Sequence, residues 1–310
     1  MRIVSLISSG TEILFALGLG GQVVAASHEC DFPSAAAMLP RATRSWIDAH
    51  QASGQIDAQV HDRLAAGKSL YEIDAELICR LAPNLIVTQA QCDVCAVRYA
   101  DVENLVQSRS ELRGAQIVAL QPRSLDDMLE DVQRIGRATR AEVAAGRLVT
   151  QLRQRIERVA SCAARAAPDQ RPRVVCIEWT NPLMAAGNWT PALIELAGGR
   201  PGLATAGQHS GYVSWDDVRE FDPQVLLVAP CGFDLPRSRI EAEALRCLPG
   251  FIELSAVRSQ RAFVLDGNAY LNRSGPRLVD SLEILAHLIQ PERFPPPPLA
   301  DAWEPLASGP

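Results

Sequence analysis

Short apolar runs rich in β-branched residues alternate with longer segments of helical periodicity along most of the chain. In the first half the predicted strands cover residues 2–7, 22–26, 84–88 and 115–120, and the predicted helices cover 11–17, 69–81 and 100–112. The second half repeats this order, with strands over 173–179, 224–229 and 261–265 and helices over 191–197, 237–247 and 276–289. This alternation is typical of α/β proteins. It predicts two lobes, each with a mostly parallel sheet flanked by helices.

A long polar segment of helical character separates the two halves. Ser124-Leu-Asp-Asp and Thr139-Arg-Ala-Glu are both typical of helix N-termini, so we predict a short helix followed by a long one that joins the lobes. The predicted domains are an N-terminal lobe over 1–123, a connecting helix over 124–167, a C-terminal lobe over 168–294 and a Pro-rich tail over 295–310. Four consecutive prolines suggest that the tail is extended and poorly ordered.

Composition and charge exclude several classes of protein. The 310 residues carry a net charge of −6, and the basic residues are spread along the chain, which argues against a nucleic-acid-binding protein. No apolar stretch approaches the roughly 20 residues of a membrane-spanning helix. The chain as given begins with a strand pattern and not with a secretion signal, so we expect a cytoplasmic protein with reduced cysteines. A leader upstream of the given start would instead place it in the periplasm. We expect a monomer.

Polar, sulfur-containing and aromatic residues follow the predicted strands. Ligands of open α/β sheets bind beyond the carboxyl ends of the strands. We therefore predict a ligand site in a cleft between the lobes, built from Ser8, Thr11, His28, Cys30, Cys92, Cys95, Trp179, Trp189, Tyr212 and Cys231.

Cysteine placement suggests a soft metal site within this cleft. Cys30, Cys92, Cys95 and Cys231 follow strands, whereas the other four cysteines fall inside predicted helices or a strand. Cys92 and Cys95 lie one turn apart at a predicted helix start, where the helix dipole favours thiolate. Zinc or an iron–sulfur cluster is one interpretation, with Asp31, Asp93 and Asp234 orienting a bound group. A redox or ligand-contacting thiol pair and inert packing remain the alternatives.

Aromatic residues favour a large, flat ligand. Only 5% of the residues are aromatic, yet several cluster at strand ends and loops of the second lobe, namely Trp179, Trp189, Tyr212, Trp215, Phe233 and Tyr270. Rings of this kind would contact such a ligand over a large area. The alternative is that Trp179 and Trp215 belong to the core of the lobe. No nucleophile elbow, phosphate loop or dinucleotide-binding glycine motif is present, so no catalytic residue is predicted.

Three sequence motifs resemble a known family. The chain opens with Ser-Leu-x-Ser-x-x-Thr-Glu-x-x-x-Ala-Leu-Gly-Leu-Gly from Ser5, and Val-Val-Ala-Ala-Ser-His-Glu-Cys-Asp-Phe-Pro follows from Val23. Glu178-Trp precedes Gly187-Asn-Trp-Thr-Pro in the second half. Together they resemble the helical-backbone (class III) substrate-binding proteins of ABC importers for cobalamin and iron chelates, especially the cobalamin-binding branch.

This resemblance implies a non-enzymatic binding protein that holds a corrinoid or another metal chelate in the inter-lobe cleft. It also implies an ABC permease as a possible partner, for which Glu72 and Asp217 are candidate docking residues. The alternative is a metal- or cluster-binding enzyme or redox protein that uses the cleft cysteines on the same scaffold.

Overall fold

A computed structural model describes residues 1–92, 94–299 and 301–306. Asp93, predicted to orient a bound group, and the end of the tail at 307–310 lie outside the described residues. The chain forms two compact units. The first comprises residues 1–51, 55–122 and 126–151, and the second comprises 52–54, 123–125 and the chain from residue 152 onward.

The elements of the first half of the chain match most of the predicted pattern. The strands are β1 (Ile3–Ser5), β2 (Val23–Ala26), β3 (Thr43–Ser45), β4 (Tyr71–Ile73), β5 (Leu85–Gln89) and β6 (Gln116–Leu120). The helices are α1 (Ser8–Ala16), α2 (Ser34–Ala37), α3 (Ser53–Ala65), α4 (Ala75–Leu81), α5 (Tyr99–Ser108) and α6 (Leu125–Thr139).

The sheet of the first unit is parallel, in the order β2-β1-β5-β6. Ile3 of β1 lies opposite Val23 on one side and Leu85 on the other. Residues 85–89 of β5 are buried throughout, which is the pattern of a strand in a parallel sheet with both faces covered. The predicted parallel arrangement is confirmed.

The segment predicted as one helix over 69–81 is a strand followed by a helix. β4 pairs antiparallel with β3, and α4 begins only at Ala75. The side chain of Asp74 accepts a hydrogen bond from the Leu77 N–H at 2.8 Å and so caps the helix. Because the cap lies inside the apolar pattern, helical periodicity alone places the start of the helix six residues too early.

The two helices predicted between the halves are present. α6 ends at Thr139, and α7 (Glu142–Ala163) follows after Arg140, which has a positive φ of 57°. A Cβ added to Gly136 would lie 2.5 Å from the Cβ of Ala145, so glycine allows the two helices to approach closely. The division between the units falls inside α7, after Gln151.

The second half of the chain has a larger, mixed sheet. Its strands are β7 (Arg173–Thr180), β8 (Leu183–Ala185), β9 (Arg200–Pro201), β10 (Gly211–Tyr212), β11 (Val225–Val228), β12 (Ala262–Leu265) and β13 (Trp303–Pro305). Its helices are α8 (Thr190–Leu196), α9 (Trp215–Phe221), α10 (Leu235–Arg246), α11 (Ser255–Arg258) and α12 (Leu278–Ile289). The strand order is β10-β8-β7-β11-β12-β13, and β9 also pairs with β7. β7, β11 and β12 are parallel, as predicted, and the unpredicted strand β9 also pairs parallel with β7.

Trp215 is partly buried and packs against the core of the second unit. Its ring stacks on Phe251 with centroids 6.3 Å apart, and its indole N–H donates to the Pro249 carbonyl oxygen at 2.7 Å. Phe251 is fully buried in the same cluster as Val175 and Leu226. The packing alternative is therefore correct for Trp215.

The Pro-rich tail differs from the predicted extended and poorly ordered terminus. Residues 303–305 form β13, which pairs antiparallel with the edge of β12. The N–H of Leu306 donates to the Ala262 carbonyl oxygen at 2.8 Å, and Leu306 and Ala302 are both buried. Apolar anchors on either side of β13 hold the tail against the sheet.

Among the described residues, no helix combines the length and apolar character needed to cross a membrane.

Candidate functional site

Thr11 and Cys30 contact each other inside the first unit. Thr11 Oγ1 lies 3.1 Å from Cys30 Sγ, and both residues are completely buried. Thr11 is the fourth residue of α1, not its N-cap, because the helix begins at Ser8 directly after β1. Ser8 is half-buried at the carboxyl end of the strand. Of these three predicted site residues, Ser8 alone is accessible to a ligand.

His28 follows β2 and is held in one orientation by its neighbours. Its Nδ1 lies 2.8 Å from Thr43 Oγ1, and its backbone N–H donates to the same oxygen at 3.1 Å. The ring centroid is 5.4 Å from that of Tyr71, whose hydroxyl donates to the Val94 carbonyl oxygen at 2.8 Å. Tyr71 was not predicted as a site residue, because residues 69–81 were assigned to a helix and the strand β4 was missed.

The loop that carries Cys92 and Cys95 is organised by Gln89 at the end of β5. Gln89 Oε1 accepts from the backbone N–H groups of Gln91 at 2.7 Å and Cys92 at 2.9 Å, and its amide donates to the Cys92 carbonyl oxygen. The next helix, α5, begins only at Tyr99. The predicted helix start at Cys92 is therefore wrong, and a helix dipole does not act on these thiols.

The predicted thiol ligands are not assembled into a metal site in the part of the chain that the structure describes. No group of three or more His, Cys, Asp and Glu side chains there could hold a metal ion. Cys30 is buried against Thr11, whereas Cys95 and Cys231 are exposed in different units, and no described cysteine forms a disulfide. The structure thus gives the zinc or iron–sulfur interpretation no support.

In the second unit, Trp179 forms an aromatic cluster at the carboxyl ends of β7 and β11. Its ring centroid lies 5.3 Å from that of Phe233, and the guanidinium of Arg237 lies 4.8 Å from the Phe233 ring. Arg237 is held by Glu241 at 2.8 Å, and Glu241 also accepts from the Thr180 hydroxyl at 3.1 Å. The indole Nε1 of Trp179 is buried and has no hydrogen-bond partner within residues 1–92, 94–299 and 301–306.

Trp189 has a structural role. It is 7% exposed, and its indole N–H donates to the Leu271 carbonyl oxygen at 2.6 Å. The nearby Gly187 N–H donates to Ser210 Oγ at 2.9 Å, and that hydroxyl donates to Glu178 Oε2 at 2.8 Å. These bonds hold the loop after β9 close to the end of β7.

Tyr212 and Cys231 are both accessible. Tyr212 is 56% exposed on the edge strand β10. Cys231 is exposed after β11, and its N–H donates to the Glu178 carbonyl oxygen at 3.0 Å.

The loop after β12 adds a buried arginine that was not predicted from the sequence. This residue is Arg273, whose Nη2 donates to Asn268 Oδ1 at 2.6 Å. Burial raises the pKa of Asp266 in the same loop. Arg273 could have been identified from the sequence, because its loop directly follows a strand.

Residues 3–269 match the family model of the periplasmic binding proteins. The chain belongs to this family. It is 22% identical over 298 residues to an uncharacterized ABC transporter substrate-binding lipoprotein, YvrC, of Bacillus subtilis (strain 168), covering 94% of this chain and 81% of the relative. The fold is therefore the predicted two-lobed, class III-like one, and the protein is a binding protein and not an enzyme.

Two solved structures share this fold. The periplasmic heme-binding protein RhuT from Roseiflexus sp. RS-1 in apo form is 26% identical with a TM-score of 0.68, covering 93% of this chain and 97% of that chain. The periplasmic vitamin B12 binding protein BtuF of Vibrio cholerae is 23% identical with a TM-score of 0.66, covering 93% and 96%. The relatives are described as periplasmic or as a lipoprotein, so the comparisons do not support the expected cytoplasmic location.

Proposed function

We propose that this protein is the solute-binding component of an ABC importer and that it binds a metal-containing tetrapyrrole, a heme or a corrinoid, outside the cytoplasmic membrane. Its family and the ligands named for RhuT and BtuF support this class of ligand. The observation that carries the proposal is the cluster of Trp179 and Phe233, in which a buried indole N–H has no hydrogen-bond partner in the described part of the chain.

The cluster has the chemistry that a tetrapyrrole requires. Buried polar groups are nearly always hydrogen-bonded, so the N–H of Trp179 is suited to an acceptor on a ligand. Aromatic rings bury about 150 to 250 Å² each against a flat apolar partner. The carboxyl ends of parallel strands are also where α/β sheets bind ligands, and both β7 and β11 end at this cluster.

The predicted contacts divide into two groups. The proposed ligand contacts that remain are at least partly exposed, and two of them also have a buried polar atom without a partner among the described residues; they are Ser8, His28, Cys92, Cys95, Trp179, Tyr212 and Cys231. Thr11, Cys30 and Trp189 are buried and shape the surrounding loops. The position of the ligand in a cleft between the lobes stays a prediction.

We propose Glu72 and Asp216 as the acidic contacts for a permease. Glu72 accepts from Arg44 at 2.9 and 2.6 Å but is still partly exposed. Asp217, the residue predicted from sequence, accepts from the N–H and the hydroxyl of Ser214 and so caps α9. The side chain of its neighbour Asp216 is 86% exposed and has the better access to a partner.

The proposal is tested by titrating the full chain with hemin and with aquocobalamin while following tryptophan fluorescence. At least one of the two compounds should bind at a single saturable site. Trp179→Phe removes the indole N–H but keeps a ring, and the loss of one hydrogen bond of about 1.4 kcal/mol should weaken binding about tenfold. The matched variant Trp215→Phe changes a core tryptophan and should bind as the wild type does. Failure of both compounds to bind, or unchanged binding in Trp179→Ala, would contradict the proposal.

A further inference from the structure

The ring of His28 is constrained so that one of its two nitrogens is occupied within the chain. Thr43 Oγ1 accepts from the backbone N–H of His28 at 3.1 Å, and its own proton is directed to Ser27 Oγ at 3.2 Å. The same oxygen lies 2.8 Å from Nδ1 of the ring. Since the Thr43 proton is already used, Nδ1 must carry a proton and donate to Thr43. In the neutral ring, Nε2 therefore bears the lone pair.

This lone pair lies in an unusual environment. Nε2 is buried and has no hydrogen-bond partner among the residues that the structure describes. The carboxylate Oε1 of Glu29 lies 3.3 Å away, but the two atoms are not aligned as donor and acceptor. The lone pair of Nε2 and the carboxylate oxygen repel each other at this distance. A positive charge placed beside both atoms would remove this repulsion.

We infer that His28 Nε2 coordinates the metal ion of the bound tetrapyrrole as an axial ligand, an inference that rests on the proposed function. The macrocycle supplies the in-plane ligands, and the protein then needs to supply only one nitrogen. Neutral imidazole with its other N–H bound to an oxygen is the usual form of a metal-ligating histidine, and the bond to Thr43 provides this arrangement.

Three neighbours of His28 take part in this inference. The ring of Tyr71 fixes the imidazole plane from one side, with centroids 5.4 Å apart. Glu29 is exposed, so its side chain can rotate to give the metal access and then offset the metal's charge. Thr43 is a positioning residue, because it sets the tautomer and direction of the ring without touching the ligand.

Absorption and electron paramagnetic resonance spectra of the full chain with hemin test this coordination, and aquocobalamin serves as a second probe with an exchangeable axial position. The wild type should give the spectrum of an imidazole-ligated metal. His28→Gln should lose that signature, and added free imidazole should restore it. His61→Gln, on the exposed surface of α3, should keep the wild-type spectrum. Thr43→Val should weaken binding about 10- to 100-fold, as loss of a partner behind a metal ligand commonly does.

The outcomes separate this inference from the proposed function. If a probe binds to the wild type without an imidazole signature, or if His28→Gln leaves the spectrum unchanged, the axial ligation is wrong and the binding function stands. If neither probe binds, both are wrong. Thermal unfolding of each variant checks that a lost signature does not result from misfolding, and imidazole rescue of His28→Gln distinguishes lost ligation from lost structure in any case.

Discussion

Gly187→Ala tests the packing that holds the loop after β9 against the end of β7. A Cβ at this position would lie 2.4 Å from the carbonyl oxygen of Gln208 and 2.7 Å from the backbone nitrogen of Ser210. Both are main-chain atoms, so the loop must move by up to about 1 Å to reach an ordinary contact distance of about 3.5 Å. That movement also strains the hydrogen bond from the Gly187 N–H to Ser210, which in turn orients Glu178.

The expected loss of stability follows from three contributions. Overpacking of this kind costs about 1 to 3 kcal/mol. Weakening one hydrogen bond adds about 1 kcal/mol. Replacing glycine reduces the freedom of the unfolded chain and offsets about 0.4 to 1 kcal/mol. The free energy of unfolding should therefore fall by about 1 to 3 kcal/mol, measured by urea denaturation.

Gly211→Ala is the matched control, because a Cβ at that position meets no atom within 4 Å and the backbone is not left-handed. Its free energy of unfolding should stay within about 1 kcal/mol of the wild-type value. Equal stability of the two variants would show that the loop does not pack against Gly187 as described.

Three further predictions concern stability. Burial raises the pKa of Asp131 to about 7 from an unperturbed value of 3.8, so the folded state binds this proton more tightly and loses stability as the pH rises from about 4 to 7. Asp131→Asn should flatten this dependence, and equal pH profiles of the melting temperature in wild type and variant would contradict it. Arg155→Ala leaves Asp280 and Glu283 without their shared cation and should lower the free energy of unfolding in urea by about 2 kcal/mol. The control Arg158→Ala changes an exposed arginine and should lower it little. Equal losses in the two variants would count against the ion cluster. Deleting residues 295–310 removes β13 and exposes the edge of β12, so light scattering should show self-association. A fully monomeric and equally stable product would contradict the role of the tail in covering this edge.

The parallel sheets were predictable because buried strands of such sheets are continuously apolar. Leu85 to Val87 and Val225 to Val228 are examples, and both strands were found within one or two residues of their true ends. The pattern failed where a short strand adjoins a helix. Tyr71 to Ile73 continue the apolar spacing of α4, and only the capping bond of Asp74 separates the two elements.

The sequence identifies the segments that follow the strands but not the directions of their side chains. Parallel topology requires the segments that follow the strands to lie at one edge of the sheet, and the sequence identifies those segments. It does not show that Thr11 and Cys30 turn inward against each other, or that the indole of Trp189 is bound to Leu271. These directions depend on contacts between residues 19 and 82 positions apart, which no local pattern contains.

Native mass spectrometry of the full chain measures the bound ligand directly. The protein is incubated with an equimolar mixture of hemin, aquocobalamin, metal-free protoporphyrin and ferrioxamine B, and is then transferred to a volatile buffer. Retention of one hemin or one cobalamin per chain, in preference to the metal-free ring and the hydroxamate complex, is the result that we expect. Retention of none of the four, or equal retention of the metal-free ring, would contradict binding of a metal-containing tetrapyrrole.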